Sequence, residues 1–181
     1  MKSAMPPESK ILIPRERIAE RVRSLAAEVL GDPDLSNPAV VPVMNGGMIF
    51  AADLVRAMET SMTLHPVRAS SYGRQRISSG RVTLGEIAPG DVEGRNVLIV
   101  DDILDSGLTL SVIREMLLSE GARVVRSCVL LRKSSSGHLH ADHVGFEIPD
   151  RYVFGYGLDL GGYWRNLPDI AALSVTEITS R

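Results

Sequence analysis

Apolar positions recur along this chain with two periods, one helical and one of strand type. After Pro14, which suits a first helical turn, Ile18, Val22, Leu25, Ala26, Val29 and Leu30 fall on one helical face, and Gly31 stops the helix. Ala39 to Met44 is a continuous apolar run that ends at Asn45-Gly46-Gly47, and Met48 to Met58 predicts the next helix. Met62 to Ala69 predicts a further strand, with Pro66 counting against an unbroken one. Strand Val97–Val100, helix Thr109–Glu120 with Gly121 at its stop, and strand Val124–Leu131 continue the series. Val144 to Ile148 and Tyr152 to Tyr156 predict short strands flanking Pro149-Asp150, and a Leu-Ser-Val stretch in the tail suits pairing at an edge.

Strands alternating with helices predict an α/β fold with a mainly parallel central sheet. In such a sheet the loops at the strand carboxyl ends meet on one side. That expectation puts Asn45-Gly46-Gly47, Asp101 to Thr109 and Lys133 on a common rim. Ser70 to Thr83 breaks the pattern. It is polar, carries Gly73 and Gly80 with Arg74, Gln75, Arg76 and Arg81, and reads as a loose loop, a hairpin or a lid.

Composition narrows the function classes. The 181 residues are enough for one domain with a core, and 44% hydrophobic with 23% charged residues is ordinary for a globular protein. A net charge of −2 points to neither a nucleic-acid nor a membrane surface. The apolar run Ile11-Leu12-Ile13 is too short for a signal sequence, no segment has the length of a membrane span, and a cytoplasmic location is expected. The single cysteine, Cys128, fits a reducing compartment and sits in an apolar run, where it reads as a buried thiol.

The chemistry concentrates after the strand Val97–Val100. Asp101 and Asp102 follow four apolar residues, and adjacent carboxylates need a cation or hydroxyl donors to stay ionised together. Asp105 lies in the same turn and reads equally as a helix cap or as a general base. Ser106, Gly107 and Thr109 form a small, hydroxyl-bearing cradle suited to a phosphate, to which Leu108 offers its backbone N–H. The pattern Gly-Lys-Ser/Thr is absent, so this is not an ATP-binding loop of the Walker type. Asn45-Gly46-Gly47 reads as a helix entry needing glycine or as a second anion-binding turn. Lys133 at a strand end is a solvated cation or a donor to a ligand carbonyl. Six of the eight aromatic residues lie between Phe146 and Trp164, a bias toward a surface that stacks a planar ligand; strand alternation would put Tyr152 and Tyr156 on one face. His138, His140 and His143 read as a loop, because no zinc-type pattern accompanies them.

Together these pieces resemble the type I purine phosphoribosyltransferases, and within them the 6-oxopurine branch, the hypoxanthine-guanine phosphoribosyltransferases. Val97-Leu-Ile-Val-Asp-Asp-Ile-Leu-Asp-Ser-Gly-Leu-Thr109 resembles the family's phosphoribosyl-pyrophosphate (PRPP) motif, and Val43-Met-Asn-Gly-Gly47 its pyrophosphate loop. Arg68-Ala-Ser-Ser-Tyr72 resembles the start of its mobile lid, placing Ser71 and Tyr72 there. Val144 to Asp150 and Val153 to Asp159, followed by Arg165-Asn-Leu-Pro-Asp169, resemble its base-binding hood.

The resemblance implies a type I phosphoribosyltransferase fold for residues 1–181, with a core of about 38–145 and a hood from the N-terminal segment and about 146–181. It implies Mg-dependent transfer of the phosphoribosyl group from PRPP to hypoxanthine or guanine. Asp101 and Asp102 would hold the ribose hydroxyls and Mg, and the turn Asp105, Ser106, Gly107, Leu108, Thr109 the 5′-phosphate. Asp105 would be the general base at the purine N7, Lys133 the donor to O6, Tyr152 the stacking ring, and the Val153 backbone the partner of the base edge. Asp159, counted among the purine-binding residues, would bind a second Mg on the pyrophosphate side, while Arg165 and the loop Asn45, Gly46, Gly47 would hold pyrophosphate, with a cis peptide near Met44-Asn45. Asn45 stands where lysine is frequent, Leu108 where the residue is often basic or polar, and Leu160 with Gly161-Gly162 replaces a usual Tyr-Asn/Glu stretch. A homodimer or homotetramer is implied as well. Xanthine is the alternative base, and a PRPP-sensing regulator without catalysis the alternative of another class.

Overall fold

The architecture below is that of a computed structural model, which describes residues 5–6, 8–71, 82–84, 87, 90–136 and 140–173. In chain order the elements are β1 (Ser9–Ile13), α1 (Arg15–Leu30), β2 (Ala39–Met44), α2 (Met48–Ala57), β3 (Thr63–Leu64), β4 (Val67–Ser71) and β5 (Val82–Leu84). There follow β6 (Asn96–Leu104), α3 (Leu108–Ser119), β7 (Val124–Lys133), β8 (His143–Ile148), β9 (Val153–Phe154) and β10 (Ile170–Leu173).

The larger sheet runs β5-β4-β2-β6-β7-β8, with β3 also pairing β2. Every pairing in it is parallel except β4 with β5. The central strands are apolar on both faces because helices cover both. Along them the side chains divide with period two. Val40, Leu98, Val100, Cys128 and Leu130 pack with α1 and α2 on one side. Ala39, Val41, Val97, Ile99, Val125 and Val129 pack with α3 on the other. Cys128 is buried, and burial pushes its thiol up, as expected of a core residue.

A second sheet, β1-β10-β9, is antiparallel and joins the two ends of the chain. β10 is its middle strand, and the Leu-Ser-Val stretch beyond its first residue, 174–175, lies outside the described residues. Four expectations are corrected. The strand Met62–Ala69 is two strands, β3 on the first half of β2 and β4 on the second, separated at His65-Pro66 because proline has no N–H for the ladder. Leu30 is exposed, since it lies about 100° around the helix from Val29, at the edge of the buried stripe. His143 opens β8 instead of lying in a loop; His138 is outside the described residues. Tyr152 and Tyr156 do not share a face: the strand ends at Phe154, and Tyr156 turns into the left-handed region at φ +49°. Tyr156 is buried and Tyr152 half-exposed.

The stretch 70–83 begins and ends as paired strands, β4 against β5, and residues 72–81, Tyr72 included, lie outside the described residues. Among the described residues no helix is long and apolar enough to cross a membrane.

Candidate active site

Because β2, β6, β7 and β8 are parallel, their carboxyl ends share a rim. The sequence after each is polar: Asn45 after β2, Asp105 after β6, Ser134 after β7, Asp150 shortly after β8. Strand β6 reaches further than Val97–Val100, because its pairing with β7 continues to Leu104 and Arg132. Asp101 and Asp102 are thus strand residues held by the sheet. Asp101 is buried, and its Oδ1 accepts the Asp102 N–H at 2.9 Å. Burial drives the Asp101 carboxyl well above the usual carboxylate range, with the Asp102 charge adding to the effect. Burial also raises Asp102, against the pull of nearby donors and of the Arg165 charge. Such a pair takes up its full charge only when a cation or several donors arrive.

The turn that follows enters α3 through Gly107, in the left-handed region at φ +70° and without a side-chain cap. Asp105 is therefore not the helix cap. Its Oδ2 accepts a hydrogen bond from Lys133 Nζ at 2.7 Å. The first-turn N–H groups of α3 lack a capping side chain, which suits an anion.

Glycine in the turn after β2 is required by contact, not by backbone angle. Gly47 has an ordinary φ of −68°. A Cβ on it would lie 2.9 Å from the Val43 carbonyl oxygen and 3.2 Å from the Asp101 Cα, and a Cβ on Gly46 would lie 1.8 Å from Asp102 Oδ2. The Met44–Asn45 peptide is cis. The two rim segments are thus packed directly against each other.

The hood completes the site from above. Arg165 donates to the Gly157 carbonyl at 2.6 Å and to Asp159 Oδ1 at 2.7 Å. Asp159 Oδ2 accepts the Gly162 N–H at 2.8 Å, and the Tyr152 hydroxyl donates to the Asp159 carbonyl oxygen at 3.1 Å. The Tyr156 hydroxyl donates to Asp53 on α2. Lys133 also approaches Asp150 Oδ1 at 3.4 Å.

Between these segments lies a cleft of about 420 Å³, lined by Asn45, Gly46, Asp101 to Gly107, Thr109, Asp159 and Arg165. Gly47 packs against Val43, Val100 and Asp101, and neither it nor Leu108 lines the cleft. Lys133 joins through Asp105 and Tyr152 through Asp159, while Val153 is buried in β9. Ser71 ends β4. A larger cavity of about 520 Å³ lies behind Arg165, and of the expected site residues only Arg165 borders it. Among the described residues no three His, Cys, Asp or Glu side chains are grouped to hold a metal on their own. Sequence reading missed Gly157, whose signal was a glycine recurring at 155 and 157 inside an aromatic run.

The model of the phosphoribosyl transferase domain matches residues 10–160. The hypoxanthine-guanine phosphoribosyltransferase of Aquifex aeolicus is 41% identical over 173 residues, covering 94% of this chain and 97% of that protein. Its Bacillus subtilis counterpart is 40% identical over 166 residues, covering 91% and 92%. The crystal structure of a hypoxanthine phosphoribosyltransferase from Staphylococcus aureus superposes with a TM-score of 0.85 at 32% identity, covering 96% of each chain. A hypoxanthine-guanine phosphoribosyltransferase from Bacillus anthracis superposes at 0.83 with 36% identity, covering 91% of this chain and 98% of that one. By the match to this domain over most of its length and by its identity to these proteins, the chain belongs to the phosphoribosyltransferases, and within them to the hypoxanthine-guanine phosphoribosyltransferase family.

Proposed function

We propose that this protein transfers the 5-phosphoribosyl group from PRPP to hypoxanthine or guanine, giving IMP or GMP and pyrophosphate, in purine salvage in the cytoplasm. The observation that carries the reading is the Lys133–Asp105 hydrogen bond at the mouth of the acidic cleft. It sets a carboxylate able to accept a proton beside an ammonium able to donate to a carbonyl, the pair of contacts that N7 and O6 of a 6-oxopurine offer side by side.

Each side chain has a role that its surroundings support. The α3 N-terminus with Ser106, Gly107, Leu108 N–H and Thr109 binds the 5′-phosphate. Asp101 and Asp102 take the ribose hydroxyls. Asp105 removes the N7 proton, so that the purine nitrogen can form a bond to C1′ while the bond to pyrophosphate breaks. Arg165 and the Asn45-Gly46-Gly47 turn receive the negative charge that leaves. Tyr152, half-exposed on the hood, stacks on the base, and the Val153 backbone meets its edge. The hairpin arms β4 and β5 lead from the same rim into the segment of Ser71 and Tyr72, which serves as the lid that excludes water.

The donor set fits Mg. This ion is held by one or two carboxylates and fills its shell with phosphate oxygens and water, so a three-ligand cage is not required. Asp101 supplies a buried carboxylate, Asp102 a partly buried one that feels the Arg165 charge, and Asp159 a third on the pyrophosphate side. When bound, Mg neutralises charge on the pyrophosphate.

We further propose that residues 1–181 form one domain, with the core at about 38–145 and the hood contributed by both ends, in keeping with the β1-β10-β9 sheet. Association into a homodimer or homotetramer accords with the Trypanosoma cruzi hypoxanthine phosphoribosyltransferase, whose C-terminal region has been studied for its role in oligomeric state and activity. The test of function is turnover of hypoxanthine, guanine, xanthine and adenine with PRPP, with and without Mg. Mg-dependent formation of IMP and GMP, with little product from adenine, is expected. No product from any base, alongside measurable PRPP binding, overturns the reading in favour of a PRPP sensor.

A further inference from the structure

Lys133 is held by two carboxylates, and only one of them has a role in the reaction above. Its Nζ lies 2.7 Å from Asp105 Oδ2 and 3.4 Å from Asp150 Oδ1. The three side chains come from three rim segments: the turn after β6, the end of β7 and the turn after β8. Lys133 is the sheltered member, at 15% side-chain exposure against 57% for Asp105 and 61% for Asp150. Burial works against its ammonium, but the hydrogen bonds and charges of Asp105 and Asp150 outweigh that and hold it above the ordinary lysine range. The neighbouring Arg132 has its own partner in Glu147.

We infer that Asp150 is a positioning residue that keeps Lys133 charged and in place while Asp105 changes its protonation state. The inference rests on the reading of Asp105 as base and Lys133 as the O6 donor. When the N7–H bond breaks, its electron pair stays on the purine and its proton passes to Asp105. The Asp105 carboxylate becomes a neutral acid, and its ion pair with Lys133 is lost. A sheltered ammonium without a counter-ion is unfavourable. Asp150 is already in position to balance it. An ammonium has three donors, enough for Asp105, Asp150 and a purine carbonyl oxygen together. The segment that carries Asp150 also leads directly into Tyr152 and Val153, so the same turn ties the lysine to the hood.

Steady-state kinetics on Asp150→Asn, Asp150→Glu, Lys133→Gln and the Asp150→Asn/Lys133→Gln double variant test this. Asp150→Asn is expected to raise the purine KM about three- to fivefold, the scale of one partly exposed ion pair, with the PRPP KM unchanged. Asp150→Glu restores the purine KM, and Asp150→Asn has no further effect once Lys133 is glutamine. An unchanged purine KM in Asp150→Asn, or the same increase in both backgrounds, overturns the inference, because Asp150 would then act independently of Lys133. If Lys133→Gln alone leaves the purine KM unchanged, the underlying reading of the site fails, and the inference falls with it for that separate reason.

Discussion

Gly157 of the hood and Gly46 of the rim turn meet backbone to backbone: a Cβ on Gly157 would lie 2.2 Å from the Gly46 carbonyl oxygen. Gly46 in turn stands against the Asp102 carboxylate, and Arg165 donates to the Gly157 carbonyl. Hood, pyrophosphate-side turn and acid pair are thus stacked through approaches that side chains would prevent.

The substitution Gly157→Ala introduces two penalties. Its φ of +105° is a conformation that L side chains rarely adopt, and the new methyl group meets backbone rather than a movable side chain. Strain of about 1–3 kcal/mol is expected from the backbone angle alone. The denaturant midpoint should fall and the KM for PRPP should rise. A variant with a native midpoint and an unchanged PRPP KM would show that the contact does not organise the turn.

Asp105→Asn removes the proton acceptor but keeps the size of the side chain. Turnover should fall by about 10²–10⁴-fold, the usual contribution of a positioned base. PRPP affinity, measured by calorimetry, should hold. Unchanged turnover would remove Asp105 from the role of base.

Arg165 uses its planar fork to bond two acceptors at once, the Gly157 carbonyl and Asp159 Oδ1. Lysine keeps the charge but not that geometry. In the reverse reaction, Arg165→Lys should weaken pyrophosphate binding by about tenfold, the scale of one charge-assisted hydrogen bond. The purine KM should change much less, and an equal change in both would make Arg165 a structural residue.

Arg21 pins α1 to β8, donating to the Val144 and Gly145 carbonyls while its guanidinium is braced by Glu28 and Ser24. The hydrogen bond from Arg21 holds the Glu28 carboxyl below the usual carboxylate range. A depressed carboxylate contributes stability above its unfolded value, about 4.3, and loses it as pH falls through the lower folded value. Glu28→Gln should therefore lower Tm slightly at neutral pH, because the pair is partly exposed, and the gap from the unaltered protein should close toward pH 3. A gap that stays constant over that range would mean that the charge of Glu28 does not contribute.

Much of the fold is visible in the order of residues because its signals are local. The face Ile18, Val22, Leu25, Ala26, Val29 has the helical period and is buried as a unit. The runs 39–43, 97–100 and 128–131 within β2, β6 and β7 are apolar because each is covered on both faces. The boundaries were less visible. Asp101 and Asp102 look like turn residues by type, yet they remain in the strand because β7 continues beside them. Tyr156 looks like a strand residue by alternation, yet its position is decided by the close approach of the hood to the rim and by its hydroxyl bond to Asp53.

By itself, then, the sequence determined the alternation of strands and helices, the acidic segment at a strand end and the glycines that mark tight places, since propensity, period and turn chemistry act within a few residues. Only the tertiary structure decided that Asp105 faces Lys133 instead of capping α3, that Gly46 and Gly47 are needed for close approach and not for their backbone angles, and that Asp150 shares the lysine. Those outcomes depend on distances between segments far apart in the chain, and such distances are set by how the sheet and hood pack.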